Sequence, residues 1–154
     1  FRSKIYVRRE GANYRKILNE ADLITKLRKQ GFEIINPQHF EILEQIKIFS
    51  NAEVIVTPHG SSLTNIIFCN QGTKIIEISP ELNNLYEKNI SRRYKNIADF
   101  LHLEFNTITA DSIEVDKHSD VSMKYIHPKI LKNSNYYKNM IIKLSEIEKY
   151  FNNL

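Results

Sequence analysis

Apolar residues recur along the chain in short β-type runs that alternate with helical spacings. Residues 4–8 (KIYVR) form a β-branched and aromatic run ending in charge, which predicts a strand. A loop with Gly11 follows, then Ile17, Ala21, Ile24 and Leu27 at helical spacing, stopped by Gly31. Residues 32–36 predict a second strand closed by Pro37, and 40–49 a second helix with Ile42, Leu43, Ile46 and Phe49 on one face. Residues 53–57 (EVIVT) predict a third strand closed by Pro58. Ser61 or Ser62 is placed to cap a third helix carrying Leu63, Ile66 and Ile67, with Gly72 at its end. Residues 74–79 (KIIEIS) predict a fourth strand. A fourth helix runs through Tyr86, Ile90, Tyr94, Ile97 and Leu101, and 104–110 is a fifth, weaker strand. Residues 111–133 are polar and irregular. A last helix is expected from Asn135, with Tyr137, Met140, Ile141, Leu144, Ile147 and Phe151 as its stripe.

This alternation predicts an α/β fold: an open, parallel, five-stranded sheet with helices on both faces. The expected organisation is a sheet domain over 1–112, followed by an irregular segment and C-terminal helix over 113–154. Two strand orders fit, 2-1-3-4-5 and 3-2-1-4-5. The first is favoured, because it brings the loops of Gly11 and Gly60 to one crevice at the carboxyl edge, where ligands bind in such sheets. Tyr136, Ile142 and Tyr150 lie off the main stripe of the last helix. That predicts a second apolar face needing cover from outside this segment.

Composition narrows the class. The chain has 154 residues, 42 % hydrophobic and 26 % charged, ordinary for a globular domain. No apolar run approaches the ~20 residues of a membrane helix. One cysteine, Cys69, excludes an intramolecular disulfide framework. The net charge of +4 is too weak to argue for nucleic acid. It is concentrated, however: the first 30 residues carry nine Lys/Arg against Glu10, Glu20 and Asp22. The chain starts at Phe1 rather than Met, with no leader pattern, so it reads as a piece of something longer.

The most informative stretch is Thr57-Pro58-His59-Gly60-Ser61-Ser62-Leu63-Thr64-Asn65. A buried strand runs into a small-residue turn and then a helix, whose first N–H groups suit an anion. Gly60 permits close approach, Ser61, Ser62 and Thr64 add hydroxyls, and His59 adds an imidazole. The pattern suits a diphosphate; an ordinary serine-capped helix fits it too. Arg8, Arg9 and Arg15 form a second cluster, whose guanidiniums match phosphate oxygens or pair with Glu10 or Glu20. Glu77 interrupts an apolar strand, where a carboxylate needs a partner; ribose hydroxyls or a basic side chain would serve. No D-x-D, P-loop, G-x-S-x-G or G-x-G-x-x-G pattern is present. His39, His102, His118 and His127 form no ligand pattern, and Cys69 reads as a small hydrophobe.

In the order Ile5-Tyr6-Val7-Arg8-Arg9, Arg15, Asn19-Glu20, Pro58-His59-Gly60, Leu63-Thr64-Asn65, Gly72-Thr73 and Ile76-Glu77, residues 4–110 resemble the carboxyl-terminal half of glycosyltransferase family 61, a family of capsular polysaccharide biosynthesis proteins. The resemblance implies one Rossmann-like half of a GT-B enzyme. That half would hold a nucleotide-sugar donor for inverting, metal-independent transfer to a glycan hydroxyl, with no cofactor. Arg8 and Arg9 would hold phosphate, residues 59–65 would cradle the diphosphate, and Glu77 would lie near the nucleoside. Ser62 departs from the glycine many members carry. The acceptor and the general base are expected from an amino-terminal half outside this chain, in the cytoplasm, with any membrane association through other parts. A non-catalytic flavodoxin-like module for nucleotides or phosphate is the competing expectation.

Overall fold

The computed structural model describes residues 3–12, 14–83, 85–113 and 134–151. The elements in chain order are β1 (Ser3–Val7), α1 (Glu20–Lys29), β2 (Phe32–Ile35), α2 (Ile42–Ser50) and β3 (Ala52–Pro58), then a 3-10 helix (Ser61–Phe68). They continue as β4 (Lys74–Pro80), α3 (Leu85–Phe100), β5 (Glu104–Ile113), β6 (Asn139–Ile141) and α4 (Leu144–Phe151). The strands form one sheet in the order β2-β1-β3-β4-β5-β6. β1 to β5 pair in parallel, and β6 runs antiparallel to β5.

Strand residues alternate between two cores, as a pleated strand requires. Tyr6, Val54, Val56, Ile76 and Ile78 face one side, with Leu23 and Leu27 of α1 and Ile147 and Phe151 of α4. Ile5, Val7, Ile55 and Ile75 face the other, with Phe49 of α2, Leu63 and Ile66 of the 3-10 helix, and Tyr94 and Ala98 of α3. Each fully buried side chain of this size contributes about 1.5–3 kcal/mol. The split follows from connection handedness. The step from β1 to β2 goes one way across the sheet and all later steps go the other. Right-handed crossovers therefore put α1 opposite α2 and α3. The reversal falls between β1 and β3, so their carboxyl ends flank the crevice.

The favoured order 2-1-3-4-5 is present, but the sheet has six strands rather than five. The added strand comes from the segment read as one long helix. Residues 135–151 instead make a short turn (Asn135–Tyr137), β6, and the short α4. The open edge of β5 and the chain at 16–18 both offer unpaired backbone groups, and residues 139–141 satisfy them. The Met140 N–H donates to the Lys16 carbonyl (2.7 Å), and the Leu18 N–H donates to the Met140 carbonyl (2.8 Å). The expected uncovered face is also absent: Tyr136 and Ile142 are buried, and Tyr150 packs against the first core.

Two smaller differences concern helices. The third helix is 3-10, and Gly60 rather than a serine holds its cap position, in extended conformation. Along α2 only Phe49 is buried, while Ile42 and Leu43 are exposed. α1 buries Leu23 and Leu27, whereas Ala21 of the expected stripe is exposed. The side chains of Tyr86 and Ile90, and residues 114–133 with His118 and His127, lie outside the described residues.

Candidate functional site

At the reversal point the chain leaves β1 through Arg8 and Arg9, and leaves β3 through His59 and Gly60. Arg8 is committed elsewhere. Its Nη2 donates to Glu20 Oε2 at 2.8 Å, and Glu20 Oε1 accepts the Tyr6 hydroxyl at 2.9 Å. Glu20 holds the Arg8 charge high, and burial beside Glu20 pushes the Tyr6 hydroxyl up. The ion-pair reading therefore holds for Arg8.

Arg9 and Arg15 differ from it. Arg9 lies along Gly60 and donates from Nη1 to the Tyr14 carbonyl at 3.1 Å. Arg15 is 5 % exposed, in the left-handed region at φ 57°. Its guanidinium carbon is 4.3 Å from the centre of the Tyr136 ring and 5.0 Å from that of Tyr14. Its Nε and Nη1 are buried and make no hydrogen bond. Among the described residues, neither Arg9 nor Arg15 meets a carboxylate. Burial, reinforced by the like charge of Arg15, brings the Arg9 guanidinium down to about 10, so it is still charged at neutral pH. Two neighbouring cations without a counter-ion among the described residues, one of them buried, form an electrostatic arrangement that an anion would relieve.

Beneath them lies a buried polar pair. His59 Nδ1 is 2.5 Å from Glu77 Oε1, and both side chains are inaccessible. The Thr107 hydroxyl donates to Glu77 Oε2 at 3.0 Å, so the carboxylate accepts on both oxygens. His59 Nε2 is 3.2 Å from the Tyr136 hydroxyl. Burial lowers the His59 pKa, opposed by Glu77. The neutral ring then donates from Nδ1 to Glu77 and accepts the Tyr136 hydroxyl at Nε2, a tautomer assigned from these partners. Glu77 has its basic partner in His59, and its oxygens face no open crevice.

The remaining sequence candidates sit around this centre. Ser61 and Thr64 are exposed and Ser62 is half-buried on the 3-10 helix. Asn65 turns away and donates to Gln45 Oε1 at 2.8 Å, tying the 3-10 helix to α2. Tyr14, Tyr94 and Tyr136 were not found by sequence reasoning. Tyr94 stacks edge-on against His59 (5.4 Å between ring centres), with Arg93 over its face at 5.0 Å. Tyr14 adjoins Arg15 in sequence, a usable signal; Tyr136 gave none. Cys69 packs against the second core, and burial pushes its thiol up to about 12. Among the described residues, no three His, Cys, Asp or Glu side chains converge as a metal site, and no helix is long and apolar enough to cross a membrane.

These features define an α/β sheet with Arg9, Arg15 and a cluster of tyrosines packed together at its strand reversal. Residues 2–76, just under half of the chain, match the sequence model of the family described as Glycosyltransferase 61, in line with the resemblance read from the sequence. The match supports a glycosyltransferase. It contains Arg9, Arg15, His59 and Gly60, and ends one residue before Glu77; Tyr94, Thr107 and Tyr136 lie beyond it. Among curated proteins, none is significantly similar to the chain.

Proposed function

We propose that this chain holds the donor of a glycosyltransferase, a nucleoside-diphosphate sugar, with its diphosphate against Arg9 and Arg15. The observation that carries this reading is the Arg15 guanidinium, buried without a carboxylate among the described residues and with Nε and Nη1 unbonded. Planar guanidiniums suit phosphate oxygens, and Gly60 leaves room for Arg9 to lie close to the turn.

In this reading, the acceptor hydroxyl oxygen attacks the anomeric carbon as the bond to the diphosphate breaks. A base on the opposite face takes the hydroxyl proton, and the configuration inverts. Negative charge grows on the leaving diphosphate, where Arg9 and Arg15 stabilise it without a metal. His59 is not that base: it is buried, and both ring nitrogens are engaged. It fixes the turn from below. The base and the acceptor come from a surface facing this edge, outside the residues that line the crevice.

The test is calorimetric titration with UDP-, GDP-, CMP- and dTDP-sugars, with chelator present throughout, followed by a nucleotide-release assay with glycan acceptors. Saturable binding of one donor class, weakened in Arg15→Met, supports the reading. No binding of any donor overturns it. Binding without turnover, in every longer form of the protein, favours a non-catalytic nucleotide-binding module.

A further inference from the structure

We infer that Tyr136 is a positioning residue of this site: its ring holds Arg15 as a charged donor to the ligand without neutralising it. The inference rests on the anion-site reading above and extends it to a residue far along the chain.

The neighbouring arginine supplies the contrast. Arg8 is held by a carboxylate, so its charge is already compensated. Arg15 is more buried, yet aromatic faces replace the carboxylate: Tyr136 at 4.3 Å and Tyr14 at 5.0 Å. A ring face attracts a cation through its quadrupole but accepts no in-plane N–H bond. Nε–H and Nη1–H therefore remain unspent. A buried guanidinium held this way keeps both its charge and its donors for an anion.

Tyr136 is itself fixed from three directions. Its hydroxyl meets His59 Nε2 at 3.2 Å, its N–H donates to Ser134 Oγ at 3.2 Å, and its ring packs edge-on against Tyr137. The strand that follows is stitched to the chain just after Arg15. Besides the two Met140 bonds, Asn19 donates to the Ile142 carbonyl at 2.8 Å and accepts the Ile142 N–H at 3.1 Å. The Lys16 N–H donates to Asn139 Oδ1 at 3.0 Å. The Arg15 loop and the Tyr136 segment are therefore one joined unit, which keeps the ring over the guanidinium although Arg15 occupies a left-handed backbone conformation.

The test uses Tyr136→Leu and Tyr136→Phe, alone and with Arg15→Met, and UDP, GDP and CDP as probes. Tyr136→Phe keeps the ring and should bind the preferred nucleotide within about twofold of the parent. Tyr136→Leu should bind roughly tenfold more weakly, and add nothing further in the Arg15→Met background. The Arg15 Nε–H proton resonance, assigned by its disappearance in Arg15→Met, reports the contact without ligand. Ring current should displace it in the parent and in Tyr136→Phe, and Tyr136→Leu should release it. If Tyr136→Phe loses as much affinity as Tyr136→Leu, the hydroxyl bond to His59 matters instead, and the inference is overturned. It is also overturned if the resonance does not move, or if the losses from Tyr136→Leu and Arg15→Met simply add. If Arg15→Met leaves nucleotide affinity unchanged, the anion-site reading itself falls, and Tyr136 has no site to position.

Discussion

Arg9 lies so close to Gly60 that a β-carbon on residue 60 would sit 2.8 Å from its Nε. Gly60 has an extended backbone, φ 173°, that any residue adopts, so the glycine serves approach rather than conformation. Gly60→Ala should therefore fold normally and displace the flexible end of Arg9. Calorimetry should show nucleoside diphosphate affinity reduced by about 1 kcal/mol, with the melting temperature nearly unchanged. A large fall in melting temperature would show instead that the turn itself needs glycine.

Arg15→Met tests the cost of the unpaired charge. Methionine fills a similar volume between the two tyrosine rings and removes a buried cation that has no counter-ion among the described residues. The variant should be as stable as the parent or more stable, because burying a charge without compensation is unfavourable. It should also lose about 1.5–3 kcal/mol of nucleoside diphosphate affinity, the range for charge-assisted hydrogen bonds. Thermal denaturation and calorimetry on one preparation check both halves. Marked destabilisation would mean that Arg15 is a structural tie.

The His59–Glu77 pair should respond asymmetrically to substitution. Glu77→Gln keeps an acceptor for His59 and offers a donor to the Thr107 oxygen, so urea unfolding should show a cost of about 1 kcal/mol. His59→Ala leaves the Glu77 charge buried with only Thr107, and should cost about 3–5 kcal/mol. Equal costs would show that the two groups do not act as a bonded pair.

Stability should also depend on pH through His59. Burial lowers its folded-state pKa below the ordinary value of about 6.5. The unfolded chain then takes up the proton more readily than the folded one. The contribution is fully present above about pH 6.5 and is lost as pH falls through the folded-state value. The groups facing the ring are Glu77, Tyr136, Tyr94, Arg15 and Arg93. His59→Asn retains a donor toward Glu77 without this titration, so its unfolding free energy should be flatter from pH 7 to 5. Parallel profiles for the two proteins would remove His59 as the source.

Much of the fold was legible because β-branched runs of five to seven residues, closed by prolines, leave few topologies open. The two glycine-bearing loops also favoured the correct strand order. The C-terminal segment was not legible, because Tyr137, Met140, Ile141 and Leu144 satisfy a helical spacing as readily as a turn, strand and helix. Only the unpaired edge of β5 and the 16–18 backbone decide between them. His59, Glu77, Arg9 and Arg15 each stood out singly. Their partnership depends on the β3–β4 register, which sets Thr57 opposite Glu77 and so brings His59, two residues further on, to that carboxylate. Tyr136 carried no local signal, since its role comes from tertiary packing.

The central claim is that Arg9 and Arg15 bind the diphosphate of a nucleotide donor without help from a metal. The direct measurement is a calorimetric titration of the protein with nucleoside diphosphates in excess chelator, repeated for Arg15→Met. The account predicts saturable one-to-one binding that survives chelation and weakens at least tenfold in the variant. Binding that appears only when a divalent cation is added, or that Arg15→Met leaves unchanged, would contradict it.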